Sequence, residues 1–338
     1  MKKIVILLLI ASAFSCKNAQ SVASKDNSDP TRYVKLIKEK DLKKMLYVVA
    51  SDEMEGRETG SKGQKKAGLY MIEQYKKNGI SFPKGATDYY QHIPAAFLNA
   101  RHNENLPDSE NIWAYIEGSE KPDEVLVISA HYDHVGIKNG EIYNGADDDG
   151  SGTVALLEMA KAFAKAKKQG HGPKRSILFL HVTGEEHGLH GSRYYSENPL
   201  FQISNTIADI NIDMIGRRDV EHAKTNNYVY VIGADRLSSD LHNIVVAQNE
   251  KYTKVDLDFK FNDPKDPNHF YERSDHYNFA KHGIPAVFFF NGVHEDYHGK
   301  DDIAEKIEYD ALTKRTKLAF VVAWELANRD NRPVVDKK

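Results

Sequence analysis

The sequence predicts an α/β protein: a mainly parallel central sheet with helices on both faces. Mainly apolar runs of strand length recur at residues 125–130 (VLVISA), 177–182 (ILFLHV), 228–232 and 286–290, and 208–212 (ADINI) repeats the theme with two polar residues. Runs without polar alternation belong to strands buried on both sides. Amphipathic helical stretches alternate with them, the order expected of βαβ units.

Each element has its own signal. Residues 1–15 read as an export signal, with Lys2 and Lys3 ahead of an apolar run at residues 4–11 that is too short to span a bilayer. The single cysteine, Cys16, stands where a bacterial lipoprotein signal is cut, although Ala13 replaces the usual leucine. Residues 16–30 are polar and form a tether that buries no core. The expected location is therefore exported, as a periplasmic protein or an outer-membrane lipoprotein, with membrane contact only through a lipid on Cys16. Residues 31–330 are expected to fold as one domain, since no internal repeat or long linker divides them.

Leu42, Met45, Leu46 and Val49 share one helical face. A second helix opens at Ser61, with Gln64 completing a capping box, and stops at Gly79. Leu156, Met159, Ala160 and Phe163 define a helix from about Ser151. Further helices lie near residues 237–246 and 310–327.

Composition narrows the function. A net charge of −3 leaves no overall basic field, so nucleic-acid binding is not expected. One cysteine excludes a disulfide framework and a multi-thiolate zinc site, so any metal must rest on His, Asp and Glu.

In open α/β sheets ligands bind beyond the carboxyl ends of the strands. The 125–130 run is followed by His131-Tyr132-Asp133, and the 177–182 run by Thr183-Gly184-Glu185-Glu186. The 208–212 run ends in Asp213, and His298 lies a short loop beyond the 286–290 run. Asp147-Asp148-Asp149 precedes the helix between the first two. Metal-capable side chains thus follow four strands.

Each has a blander reading. Three successive aspartates are often a solvated turn. The spacing of Asp147, Asp149, Ser151 and Glu158 also fits an EF-hand loop, but that loop needs a preceding helix where Gly136, Gly140 and Gly145 stand. Adjacent Glu185 and Glu186 point opposite ways on an extended chain, so one can face a metal and the other an attacking water. Asp133 can orient the ring of His131. His294 rivals His298, while His187, His190, His269 and His282 are expected to be ordinary histidines.

Together, GADDDGSG (145–152), TGEEHGLHGS (183–192), NIDMIGR (211–217), SDHYNFAKHGIPAVFF (274–289) and YHGKDD (297–302) resemble the zinc aminopeptidases of the M28 type. EGRETGSKGQKKA (55–67) is similar to that family's helical lead-in. The resemblance covers roughly residues 36–328. It implies a phosphorylase/hydrolase-like zinc exopeptidase fold and two zinc ions, with cobalt or manganese as substitutes. It makes His131 and Asp213 ligands of one ion, Glu186 and His298 ligands of the other, and Asp147 the bridge. Glu185 becomes the general base acting on a hydroxide shared by the ions, and Asp133 the partner of His131. The family's cis peptide bond is expected at Asp147-Asp148. In place of the family's Tyr-His-Thr/Ser, Gly299-Lys300 follow His298, and the stretch from Tyr89 to Glu110 is too short for a protease-associated insert.

The implied substrate is a peptide with a free N-terminus. The alternatives are a glutaminyl cyclase on the same scaffold and a catalytically silent peptide-binding relative. Asp275 is a candidate partner of the substrate amine, and Tyr277, Phe279 and Tyr297 are candidates for the side-chain pocket. Residues 288–290 read as buried strand.

Overall fold

The computed structural model describes residues 29–101 and 105–337. The expected signal, Cys16 and all but the last two residues of the tether lie outside these residues. Helices α1 (Thr31–Val34), α2 (Glu39–Val49) and α3 (Lys62–Lys77) open the fold, followed by β1 (Tyr90–Ile93), α4 (Ala95–Leu98), β2 (Ser109–Ile116) and β3 (Lys121–His131). A hairpin of β4 (Gly136–Lys138) and β5 (Glu141–Tyr143) leads to α5 (Gly152–Lys168), β6 (Arg175–Val182), α6 (His190–Glu197) and β7 (Thr206–Ile212). Then come β8 (Tyr228–Ile232), α7 (Ser239–Gln248), β9 (Asp256–Asp258), α8 (His276–Ala280), β10 (Ala286–Phe290) and α9 (Tyr309–Asn328).

Eight strands form one sheet in the order β1-β2-β6-β3-β7-β10-β8-β9. At its centre β6, β3, β7 and β10 are parallel neighbours. These are the four apolar runs that metal-capable side chains follow. β2 and β8 flank them antiparallel. β8 therefore runs against the central four, and the chain after Ile232 leaves at the opposite edge. Because β6 and β7 lie on either side of β3, the carboxyl end of β3 sits at the point where strand order reverses. That is where an open α/β sheet leaves a crevice.

Side-chain alternation explains why both faces are covered. Leu126, Ile128 and Ala130 of β3 join the main core with Leu156, Met159 and Phe163 of α5 and with Phe320 and Trp324 of α9. Val125 and Val127 point the other way, into a second core with Leu178, Leu180, Tyr195 of α6 and Phe279 of α8. The ring of Phe163 lies 4.7 Å from that of Phe320 and stacks 5.5 Å from that of Trp324. Truncating so enclosed a phenylalanine costs about 3–5 kcal/mol.

The capping expected at α3 is present, with a twist. Ser61 Oγ accepts the Gln64 N–H at 3.2 Å, but Gln64 Oε1 accepts the N–H of Gly60. The amide of Gln64 also donates to Thr183 Oγ1 at 2.6 Å, which ties this helix start to the end of β6. Among the described residues no helix is long and apolar enough to cross a membrane.

Candidate metal centre

His131 is the last residue of β3 and is buried. Its Nε2 lies 3.1 Å from Asp148 Oδ1 and 3.6 Å from Asp213 Oδ1, at the end of β7. Asp213 is held by Ser274, whose hydroxyl donates to Oδ2 at 2.6 Å. His131, Asp148 and Asp213 form one cluster of converging donor atoms. The second forms around the other oxygen of Asp148. His298 Nε2 is 3.1 Å from Asp148 Oδ2 and 2.9 Å from Glu186 Oε2. His134 Nδ1 is 2.7 Å from Glu186 Oε1 and 3.8 Å from Asp148 Oδ2. Asp148 thus faces both groups, one oxygen to each.

The position expected of Asp147, facing both groups, is instead taken by Asp148. Asp147 is turned away: its Oδ1 accepts the N–H of Gly216 at 2.6 Å, and its Oδ2 faces His294 Nε2 at 3.3 Å. Consecutive side chains on a non-helical stretch diverge, so only one of the pair can enter the site. The cis peptide bond is likewise Asp148-Asp149 rather than Asp147-Asp148. The rivalry of the two histidines resolves with it, since His298 joins the cluster and His294 supports Asp147.

The orientation of His131 also differs in detail. Its Nδ1 lies 3.1 Å from the backbone carbonyl of Asp133, closer than the 3.7 Å to the Asp133 carboxylate. That carboxylate instead accepts from Thr59 Oγ1 at 2.9 Å and from the Glu185 N–H at 3.3 Å. Asp133 therefore positions the backbone of Glu185 as well as the ring of His131.

Charges in the site are strongly coupled. Burial opposes ionisation of Asp148, but His131 and His298 hold its carboxyl well below the usual range. Burial and Asp148 push Glu186 up, yet His134 and His298 prevail and bring it to about 2. Burial lowers His298, but Asp148 and Glu186 raise it to about 10. Glu185 differs: burial pushes its carboxyl well up against the opposing pull of His131, and Asp213 and Glu186 add to the rise.

Whether the residues suit a metal can be judged from their unpaired atoms. His131 Nε2, His134 Nδ1 and Glu186 Oε1 are buried and make no hydrogen bond, although partners lie within 2.7–3.1 Å. Polar atoms that close, at angles outside hydrogen bonding, direct lone pairs at a shared point, and buried polar groups do not stay unpaired without reason. Imidazole and carboxylate donors in this mixture suit zinc, with cobalt or manganese as neighbours in preference.

Glu185, Asp148 and Asp213 open onto a cleft walled by Met214, Phe270, Phe288 and Phe290. Phe288 and Phe290 share a face of β10 and line it, while Phe289 between them packs in the main core. Tyr297 also lines the cleft, as expected. Phe279 instead packs in the second core, and Tyr277 is absent from the lining. Asp275 is fully buried and does not line the cleft, accepts from Ser192 Oγ and makes no cap bond to α8.

Sequence reasoning passed over three residues. Asp302 accepts the N–H groups of Asp147 and Asp148, each at 3.0–3.1 Å. Arg57, wholly buried, donates to the carbonyls of Val49, Tyr132, Asn144 and Gly145, and so clamps the segments that carry His131 and Asp148. Both sit inside motifs quoted above. His134 had its own signal, a second histidine just beyond the strand end.

The mainly parallel α/β sheet thus carries two carboxylate–imidazole clusters that share one aspartate and could hold metal. The chain belongs to peptidase family M28, which matches residues 111–323. A probable leucine aminopeptidase of Trichophyton verrucosum is 31% identical over 228 residues, covering 64% of this chain and 57% of that protein. The aminopeptidase LapA of Legionella pneumophila shares the fold with a TM-score of 0.68 at 21% identity, over 98% of this chain and 81% of that one. A glutaminyl cyclase of Bacteroides thetaiotaomicron does so at 0.65 and 17% identity, over 85% and 98%. The chain spans about half the length of the curated relatives it matches.

Proposed function

We propose that the protein is a zinc-dependent aminopeptidase that removes N-terminal residues from peptides. The observation that carries this reading is Asp148, whose two oxygens serve two donor clusters in the same cleft as Glu185. Membership of a peptidase family and the printed activities of the relatives support it. His131, Asp148 and Asp213 would hold one ion, and Asp148, Glu186 and His298 the other. Bound there, zinc supplies Lewis acidity, polarising a carbonyl and bringing the pKa of a water to about 7.

Glu185 acts as the general base. It lines the cleft, and its Oε2 lies 4.0 Å from His131 Nε2, beside the clusters rather than within either. It takes the proton of the attacking water and returns it to the departing amine. Asp133 and Thr59 keep its backbone in place. Phe270, Phe288 and Phe290 offer an apolar floor for the side chain of the first residue. The acidic cleft favours a free, positively charged amine, a role that buried Asp275 cannot fill.

An unblocked peptide library and its N-acetylated twin, incubated with and without a chelator and read by mass spectrometry, test the reading. Chelator-sensitive loss of single N-terminal residues from the unblocked set alone is expected. Loss of ammonia from N-terminal glutamine peptides would instead indicate a cyclase, and no change in either set a silent binder. The N-terminal signal carries its own proposal: a lipid on Cys16 tethers the exported enzyme to a membrane. Fatty-acid labelling that survives Cys16→Ser would refute that.

A further inference from the structure

His134 is absent from the five-residue set that the resemblance implied, yet it stands among the donors. It is fully buried, and neither ring nitrogen has a hydrogen-bond partner. A buried imidazole with both nitrogens unpaired is costly, so its retention needs a cause. Nδ1 lies 2.7 Å from Glu186 Oε1, but the pair is not oriented as a hydrogen bond. Its Nδ1, a carboxylate oxygen of Asp148 and one of Glu186 lie within 4.8 Å of one another. Bonds of zinc to nitrogen or oxygen of about 2.1 Å place tetrahedral ligand atoms about 3.4 Å apart. The contacts of 2.7 and 3.8 Å from His134 straddle that value, and the 2.9 and 3.1 Å from His298 fall just short of it.

The ring is also held in place. The backbone N–H of His134 donates to the carbonyl of Arg57 at 3.1 Å. Gly145, at φ +54°, lies against the imidazole, and a Cβ there would come within 2.4 Å of His134 Cγ. The glycine leaves room that a side chain would take, and Arg57 anchors it through its own carbonyl. The packing fits one ring position, with Nδ1 toward the acidic pair.

We infer that His134 is itself a ligand of the second metal position, which then has four side chains: His134, Asp148, Glu186 and His298. The first has three: His131, Asp148 and Asp213. Sites closed by four protein ligands hold zinc firmly, whereas sites with three keep a position open for water or substrate. The second position therefore fills first and holds its ion harder, and the first is where substrate exchanges. This rests on the metal-centre reading above.

The test begins with the full chain stripped of metal and titrated with zinc against a chromophoric chelator. Wild type is expected to show two unequal affinities. His134→Gln should weaken the tighter at least 100-fold and leave the weaker within threefold, with unchanged thermal unfolding of the metal-free forms. Unchanged affinities in the variant would overturn the inference while leaving the metal centre intact. No zinc binding by wild type would overturn the metal-centre reading itself. A measurement without any variant stands beside these: zinc X-ray absorption of wild type at one equivalent should count two imidazoles per ion. One imidazole per ion would overturn the inference even if the variant failed to fold.

Discussion

The carboxylate of Asp302 accepts the backbone N–H of Asp148 at 3.1 Å and thereby fixes the residue that faces both donor clusters. It accepts the N–H of Asp147 as well, and its own carbonyl accepts the N–H of Ala146. One residue, through its carboxylate and its backbone carbonyl, thus sets three consecutive residues of the loop. Burial and the nearby Asp147 raise its carboxyl to about 6. Asp302→Asn weakens the acceptor without emptying the space. Supporting residues of this kind typically control 10–100-fold in metal affinity or activity, and a loss of that size is expected for zinc binding. Zinc competition checks it, and an unchanged affinity would show that the loop holds itself.

Asp147 and Asp148 are chemically identical neighbours with different expected losses. Asp148→Asn should abolish stable zinc binding at both positions, because one carboxylate serves both clusters. Asp147→Asn should retain zinc and cost about 1–3 kcal/mol of stability through its bond to Gly216. Glu185→Gln should keep both ions and slow turnover about 10²–10⁴-fold. Metal analysis and peptide hydrolysis on the three variants decide the matter. Zinc loss in Asp147→Asn but not in Asp148→Asn would reverse the assignment of the bridge.

Much of this was legible in the sequence because apolar runs and strand ends are local signals. The four parallel strands, and the residues after them, could be read one at a time. The choice among three adjacent aspartates could not, since spacing is silent and the backbone path beyond Gly145 decides which carboxylate turns inward. β2 was missed because it begins Ser-Glu-Asn. Its Asn111 is buried only because the amide donates to Gly191 and Gln91, partners distant in sequence. Asp302 was missed for the same reason, as it acts on backbone 154–155 residues away. Residues 288–290 form a buried strand, as their sequence indicates, but the sequence does not show which of them face the cleft. Alternation along β10 gives the outer two to the cleft and the middle one to the main core.

Arg57 should be among the least replaceable residues outside the clusters. Its guanidinium is fully buried and satisfies carbonyls from three separate segments. Removing it leaves those acceptors without a donor, and losses at buried charged networks run to about 3–5 kcal/mol. Arg57→Met is expected to lose that much, and Arg57→Lys to recover little, because a single ammonium cannot reproduce the fork. Urea unfolding in the presence of chelator measures the effect apart from metal binding. A destabilisation below about 1 kcal/mol, the value of one ordinary hydrogen bond, would argue against the clamp.

His181 makes stability depend on pH independently of any metal. It lies on β6, fully buried, with Nε2 2.7 Å from the hydroxyl of Tyr75, and burial lowers its pKa to about 3. The native state therefore keeps this ring neutral through mildly acidic pH, while the unfolded chain protonates it near the ordinary value of about 6.5. Between those values the unfolded state binds the extra proton, so stability falls as pH drops through about 6.5 toward 3. The slope from one such group reaches about 1.4 kcal/mol per pH unit. His276, also buried and lowered to about 3, adds to the fall in the same direction. His181→Gln keeps a partner for Tyr75 but removes one titrating group. Urea unfolding of the metal-free protein at pH 7 and pH 5 should show wild type losing about 2 kcal/mol more than the variant. Equal losses in the two proteins would mean that His181 takes up its proton without leaving the fold.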